Sequence, residues 1–257
     1  MTDKAKIILL ADGHVGDKVE QYLRNCDEHI IALYLTDTNS DRINKVASSS
    51  IQDITHIYHA SQLGEQEHLD WLKKQEFDFL ITVYWPYLIK PDIYELAGKG
   101  TINFHPALLP FNRGWYPHVY NIIDGSPSGV TLHQIDEGID SGPVWAQKQV
   151  PTLPTDTAFT LYNRLQTSIY ELFMEQWEAI KKGLITPIPQ DHTQSNYHSR
   201  KKVDELDIID PDKMYRGEEL INLLRARSFG NQAFAYYIKD GKKIFLNLRL
   251  GNTNTLD

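Results

Sequence analysis

Short apolar runs alternate with longer polar stretches through the first hundred residues, and this alternation constrains the fold more than any other feature. Ile7–Ala11, Ile30–Leu35, Ile54–His59 and Phe79–Tyr84 read as strands, with Gly100–Phe104 as the next. Between them Asp17–Asn25, Glu65–Gln75 and Ile93–Lys99 read as helices. Short, continuously apolar strands suit a sheet covered on both sides. Strands separated by helices imply βαβ units. The expected fold is α/β, a Rossmann-like, mainly parallel sheet with helices on both faces. Such sheets take ligands in the crevice outside the carboxyl ends of their strands.

The later chain has a different texture. Gly129–Gln134 and Val144–Gln149 read as strands, and Asp156–Lys182 as a long amphipathic helix closed by Gly183. Ile185–Asn196 carries prolines and polar residues and reads as a linker. Beyond it, Gly217–Arg227 reads as a helix, while Phe234–Ile238 and Lys243–Leu250 flank Asp240-Gly241, a tight-turn dipeptide. Two parts follow: a catalytic-sized domain over residues 1–185, and a small C-terminal α+β appendage with a β-hairpin over 186–257. The appendage is too small to be stable alone, so it is expected to complete a dimer or to shield a ligand.

Charge and cysteine content narrow the function. A formal charge of −8 argues against a broad nucleic-acid surface. A lone Cys26 leaves no disulfide framework and too few thiolates for structural zinc, so no metal is expected. The apolar run near the start is too short for a signal peptide and no stretch is long enough to span a membrane. The expectation is a soluble, cytoplasmic protein.

Two segments place polar residues where a core would reject them. In Asn103-Phe104-His105-Pro106, Asn103 and His105 share a strand face just where Pro106 ends the strand. In Asp136-Glu137-Gly138-Ile139-Asp140-Ser141-Gly142, Asp140 offers a carboxylate. An imidazole can take the proton of an attacking amine. A carboxylate beside it can hold the ring and favour its charged form. An Asn amide can donate to an oxygen that gains negative charge. No Ser or Cys sits in a nucleophile elbow, so direct transfer to a bound nucleophile is favoured over a covalent intermediate. Spacing alone also allows His105 to be a satisfied buried histidine and Asp140 a turn residue.

Asn103-Phe104-His105-Pro106-Ala107-Leu108-Leu109-Pro110, Arg113-Gly114, Gly129-Val130-Thr131-Leu132-His133 and the Asp136–Gly142 segment occur in one order and spacing. Together they resemble the formyltransferases that use N10-formyltetrahydrofolate, over about residues 1–183. The resemblance implies a catalytic set of Asn103, His105 and Asp140. It also implies a folate site along Tyr84, Trp85, Pro86, Tyr87, Leu88 and Ile89, and along Ile135, Asp136, Glu137 and Gly138.

The acceptor amine is less constrained. A tRNA acceptor fits poorly with an acidic chain, and the loop Asp12–Gly16 differs from the Gly/Ser-rich loop of the glycinamide ribonucleotide enzymes. Arg113, Gly114, Trp115 and Tyr116, followed by Tyr197, His198, Arg200, Lys201 and Arg225, resemble the substrate segments of sugar N-formyltransferases. That resemblance implies a homodimer acting on a nucleotide-linked amino-dideoxysugar such as dTDP-4-amino-4,6-dideoxyglucose, for O-antigen or other surface polysaccharide synthesis. Cations among these residues suit a pyrophosphate, and the aromatic ones a base. Phe229-Gly230-Asn231-Gln232 departs from that pattern. Another amine, such as methionyl-tRNA, or a non-catalytic folate or sugar-nucleotide binder, remains open at this level.

Overall fold

The computed structural model describes residues 4–36 and 56–251. The chain divides into two compact units, one made of residues 1–105, 132–146 and 170–189, the other of 106–131, 147–169 and 190–257.

The first unit is organised by a sheet. Its strands are β1 (Lys6–Ala11), β2 (His29–Leu35), β3 (Ile57–His59), β4 (Phe79–Val83) and β5 (Gly100–His105), with the parts of β7 (Gly129–His133) and β8 (Val144–Gln149) that fall within residues 132–146; β6 (Arg113–Gly114) lies elsewhere. The order is β3-β2-β1-β4-β5-β7-β8. β1 runs parallel to both β2 and β4, and β4 parallel to β5. The order therefore reverses at β1, the switch point at which such sheets open a crevice. β1 and β4 are buried along almost their whole length, which explains their unbroken apolar sequence.

Helices cover both faces. Ile8, Leu10 and Leu80 pack with Leu69 and Leu72 of α2 (Gln66–Leu72) and Ile93 of α3 (Pro91–Tyr94). On the opposite face, Phe79 and Phe104 meet Trp177 and Phe173 of α5 (Ala158–Lys181), edge-on and tilted, at ring separations of 5.3 and 5.0 Å. α1 (Gly13–Asn25) starts at Asp12, whose side chain accepts from Gly13 N, and buries Val15, Val19 and Leu23 at helical spacing.

Several boundaries differ from the sequence expectation. The helix expected at Ile93–Lys99 is one turn, Pro91–Tyr94, because Pro91 is pre-set for the first helical position. Tyr84 leaves strand β4 and takes a left-handed φ of 51°. Ile54 and Thr55 of the third expected strand lie outside the described residues.

A buried ionic clip ties the start of the first unit to its last helix. Glu28, 2% exposed, accepts from Ala5 N at 2.7 Å, Trp177 Nε1 at 3.0 Å and Lys181 Nζ at 2.5 Å. Glu28→Gln keeps the shape and removes the charge opposite a part-buried ammonium. We expect a loss of about 2 kcal/mol in urea unfolding, with kcat unchanged.

The second unit packs α4 (Pro117–Asp124) against α6 (Gly217–Ala226). Phe229 inserts beside Phe159 and Tyr162, at 5.2 and 5.7 Å between rings. The hairpin forms as β10 (Tyr236–Lys239) and β11 (Lys242–Phe245), shorter than expected at its outer ends. Its Ile238 is 59% and its Phe245 56% exposed. Among the described residues no helix is long and apolar enough to cross a membrane, and no cluster of His, Cys, Asp or Glu could hold a metal ion.

Candidate active site

The carboxyl ends of β4, β5 and β7 converge on one polar row. Thr82 lies directly opposite Asn103 in the β4–β5 register, so the two side chains share a face. Thr82 Oγ1 donates to Asn103 Oδ1 at 2.6 Å. On the other side, Asn103 Nδ2 lies 2.9 Å from His133 Nε2. His105, two residues on and 5% exposed, presents Nδ1 to Asp140 Oδ1 at 3.5 Å. Asp140 Oδ1 is also 3.7 Å from His133 Nε2. Asn103, His105 and Asp140 thus meet in one place, joined by Thr82 and His133, whose roles the sequence reading missed. Thr82 looks like a β-branched strand residue, and His133 was visible only as part of a motif.

The loop that carries Asp140 is shaped by close backbone approaches. Asp136 Oδ1 accepts from Gly138 N at 3.1 Å and Ser141 Oγ at 2.7 Å, a local turn built by an Asp side chain. A Cβ on Gly138 would stand 2.0 Å from Ser141 Oγ, and one on Gly142 1.9 Å from Gln134 O. Ile135 N donates to Thr101 Oγ1 at 2.6 Å, and Gln134 N to Pro143 O at 2.7 Å, so both ends of the loop are pinned. Asp140 itself is held at φ 50°, a conformation that Asp tolerates better than most residues.

The expected folate segments follow β4 and β7, the strands on either side of β5. Tyr84, Trp85 and Ile89 are half-buried, whereas Pro86 is exposed, Tyr87 is 59% and Leu88 83% exposed. Ile135 and Asp136 are half-buried, and Glu137 and Gly138 exposed. Exposed apolar side chains on a short loop beside a polar row fit a flat, partly apolar ring system.

The second unit gathers most of the expected substrate residues. Arg113 and Gly114 of β6 pair with Tyr197 and His198 of β9 (Tyr197–His198), and Trp115 N donates to His198 O at 2.9 Å. The Arg200 guanidinium sits 5.6 Å from the Trp115 ring centre. Trp115, Tyr116 and Tyr197 are 40%, 36% and 41% exposed, and Lys201 is exposed beside Arg200. Beneath them Asn112, fully buried, accepts at Oδ1 from Asn196 Nδ2 at 3.0 Å and lies 3.0 Å from His198 Nε2. His198 stacks flat on Tyr120, and burial holds its pKa below the usual value. It supports the patch from within.

Arg225 is not brought to this patch. It is 8% exposed, and its guanidinium donates to Leu153 O at 3.0 Å and Asp156 O at 3.1 Å. His118 is also internal: burial, with Arg227 nearby, lowers its pKa to about 3.

A family model described as formyl transferase matches residues 7–176, and one described as N-formyltransferase dimerization C-terminal domain matches residues 202–252. A dTDP-4-amino-4,6-dideoxyglucose formyltransferase of Mycobacterium bovis is 33% identical over 156 residues. That alignment spans 60% of this chain and 66% of the relative, just under two thirds of its length. A crystal structure of a 4-N formyltransferase from Francisella tularensis superposes with a TM-score of 0.82 at 25% identity, covering 97% of this chain and 99% of that one. A formyltransferase from Anoxybacillus kamchatkensis, in complex with UDP-4,6-dideoxy-4-formamido-L-AltNAc and tetrahydrofolate, superposes with a TM-score of 0.57 at 29% identity, covering 78% of this chain and 88% of that one. The family model alone covers more than half of the 257 residues, and the chain belongs to the formyl transferase family.

Proposed function

We propose that this protein transfers a formyl group from N10-formyltetrahydrofolate to the amino group of a nucleotide-linked amino-dideoxysugar. The acceptor we favour is dTDP-4-amino-4,6-dideoxyglucose or a close relative. The observation that carries the reaction type is the meeting of Asn103, His105 and Asp140 at the carboxyl edge of the sheet. The acceptor class rests on the likeness to sugar N-formyltransferases and on the C-terminal match over residues 202–252. We place the enzyme in the cytoplasm, in surface polysaccharide synthesis. The exposed Ile238 and Phe245 of the hairpin, with the C-terminal match, support a homodimer.

The amine attacks the formyl carbon, and the carbonyl oxygen gains negative charge. Asn103 Nδ2–H donates to that oxygen. His105 takes the proton that the amine loses, and Asp140, beside Nδ1, stabilises the imidazolium that forms. The tetrahedral intermediate then collapses, the bond to N10 breaks and the proton passes to the folate nitrogen. Tyr84–Ile89 and Ile135–Gly138 bind the folate. Arg113, Trp115, Tyr116, Tyr197, Arg200 and Lys201 bind the nucleotide, cations on phosphate and rings on base.

A panel of nucleotide amino-sugars incubated with N10-formyltetrahydrofolate, read by mass spectrometry for the formamide, tests this directly. KM for the accepted sugar should change less than about tenfold between ~50 and 200 mM salt, because only two phosphates are engaged; a tRNA site would weaken by ~10³ or more. Arg200→Ala should raise that KM about tenfold while kcat falls less than about threefold, as expected for a binding cation. Formyl transfer to a charged tRNA, with none to any amino-sugar, overturns the assignment.

A further inference from the structure

We infer that Thr82 and His133 are positioning residues that decide which end of the Asn103 amide faces the formyl oxygen. This rests on the reading above that Asn103 meets that oxygen. A primary amide is nearly the same shape after a half-turn about its last bond, yet the turn exchanges a donor for an acceptor. With Nδ2 inward, the developing negative charge meets an N–H. With Oδ1 inward, it meets a lone pair and the step is opposed.

The choice begins at a main-chain atom. Gln134 O has no proton to give, and it lies 2.7 Å from His133 Nδ1. Nδ1 must therefore carry the hydrogen. In the neutral ring Nε2 is then an acceptor. Asn103 reaches Nε2 at 2.9 Å, so the amide must turn its NH₂ group that way. Oδ1 consequently faces Thr82, whose hydroxyl can rotate to donate at 2.6 Å. A planar NH₂ carries two hydrogens. One is taken by His133, and the second is the donor for the formyl oxygen.

Each link depends on its neighbour. The register sets Thr82 opposite Asn103. The adjacent strand β7 delivers His133, which is 2% exposed and cannot exchange its partners for water. The charge facing this network is Asp140, 3.7 Å from Nε2. That carboxylate would favour a hydrogen on Nε2, so the Gln134 carbonyl is what holds the tautomer.

Two measurements test the lock. The first reads the tautomer in the wild-type protein by the ¹⁵N shifts of the His133 imidazole at neutral pH. We expect Nδ1 protonated and Nε2 bare; a hydrogen on Nε2 overturns the proposal. This reading holds whatever the acceptor, so if no amino-sugar is formylated the assigned reaction fails while the tautomer still decides the lock.

The second compares Thr82→Val with Thr82→Ser. Valine keeps the shape and removes the donor; serine keeps the donor. We expect Thr82→Val to lower kcat about 10- to 30-fold with both KM values within about threefold, and Thr82→Ser to stay within about threefold of wild type. Equal loss in both variants, or wild-type kcat in Thr82→Val, sinks it. Serine at this position conserves the hydrogen bond, so it serves should the valine variant not fold.

Discussion

Asn at position 105, or at position 140, lowers kcat for formyl transfer by about 10³-fold and leaves the melting temperature within a few degrees. His105 is the group that receives the amine's proton, and a positioned base of this kind contributes about 10²–10⁴-fold. Asp140→Asn keeps volume and loses the charge 3.5 Å from Nδ1. The imidazolium formed in the reaction then loses that counter-charge. Neither side chain fills an apolar core, so the fold does not depend on either. Steady-state kinetics with differential scanning calorimetry check both halves. A variant that melts early while its folded fraction turns over normally would make these residues structural.

Gly142→Ala carries the largest expected effect on stability. A methyl group there stands 1.9 Å from Gln134 O, a main-chain atom that cannot rotate aside. Relief requires moving either the Asp140 loop or residue 134, and both are pinned, the latter through Gln134 N on Pro143 O. We expect a loss of about 3 kcal/mol, seen as a fall of roughly 6–12 °C in Tm. The same displaced carbonyl orders His133, so kcat of the folded fraction should fall as well. Unaltered Tm and kcat would show that the loop is softer than its contacts indicate.

The framework was legible because its signal is local. Strands β1 and β4 are buried on both faces, and a solid apolar run is what that burial demands. Asn103 and His105 stood out for the same reason, as polar residues of one parity at the end of such a strand. Relations set only by packing were not legible. Nothing in Phe79–Val83 distinguishes Thr82 from a residue chosen for strand propensity until register places it across from Asn103. Arg225 read as a free cation because sequence does not show that the carbonyls of Leu153 and Asp156 lie around it. His198 read as a ligand contact, yet Tyr120 covers its face and Asn112 meets its edge. The helix expected at Ile93–Lys99 is instead the single turn Pro91–Tyr94, because Pro91, pre-set for the first helical position, starts it two residues earlier.

The discontinuous second unit has a consequence for how the protein is made. Its first two segments, 106–131 and 147–169, leave the ribosome well before residues 190–251, which complete that unit. At ~5–20 residues per second, the delay between Leu153 and Arg225 is about 4–14 s. During that interval the carbonyls of Leu153 and Asp156 lack the Arg225 guanidinium, and Phe159 and Tyr162 have no Phe229 beside them. The nascent chain therefore exposes an apolar surface for seconds, long enough for a chaperone to bind. Heterologous yield should therefore rise when such a chaperone is supplied during synthesis.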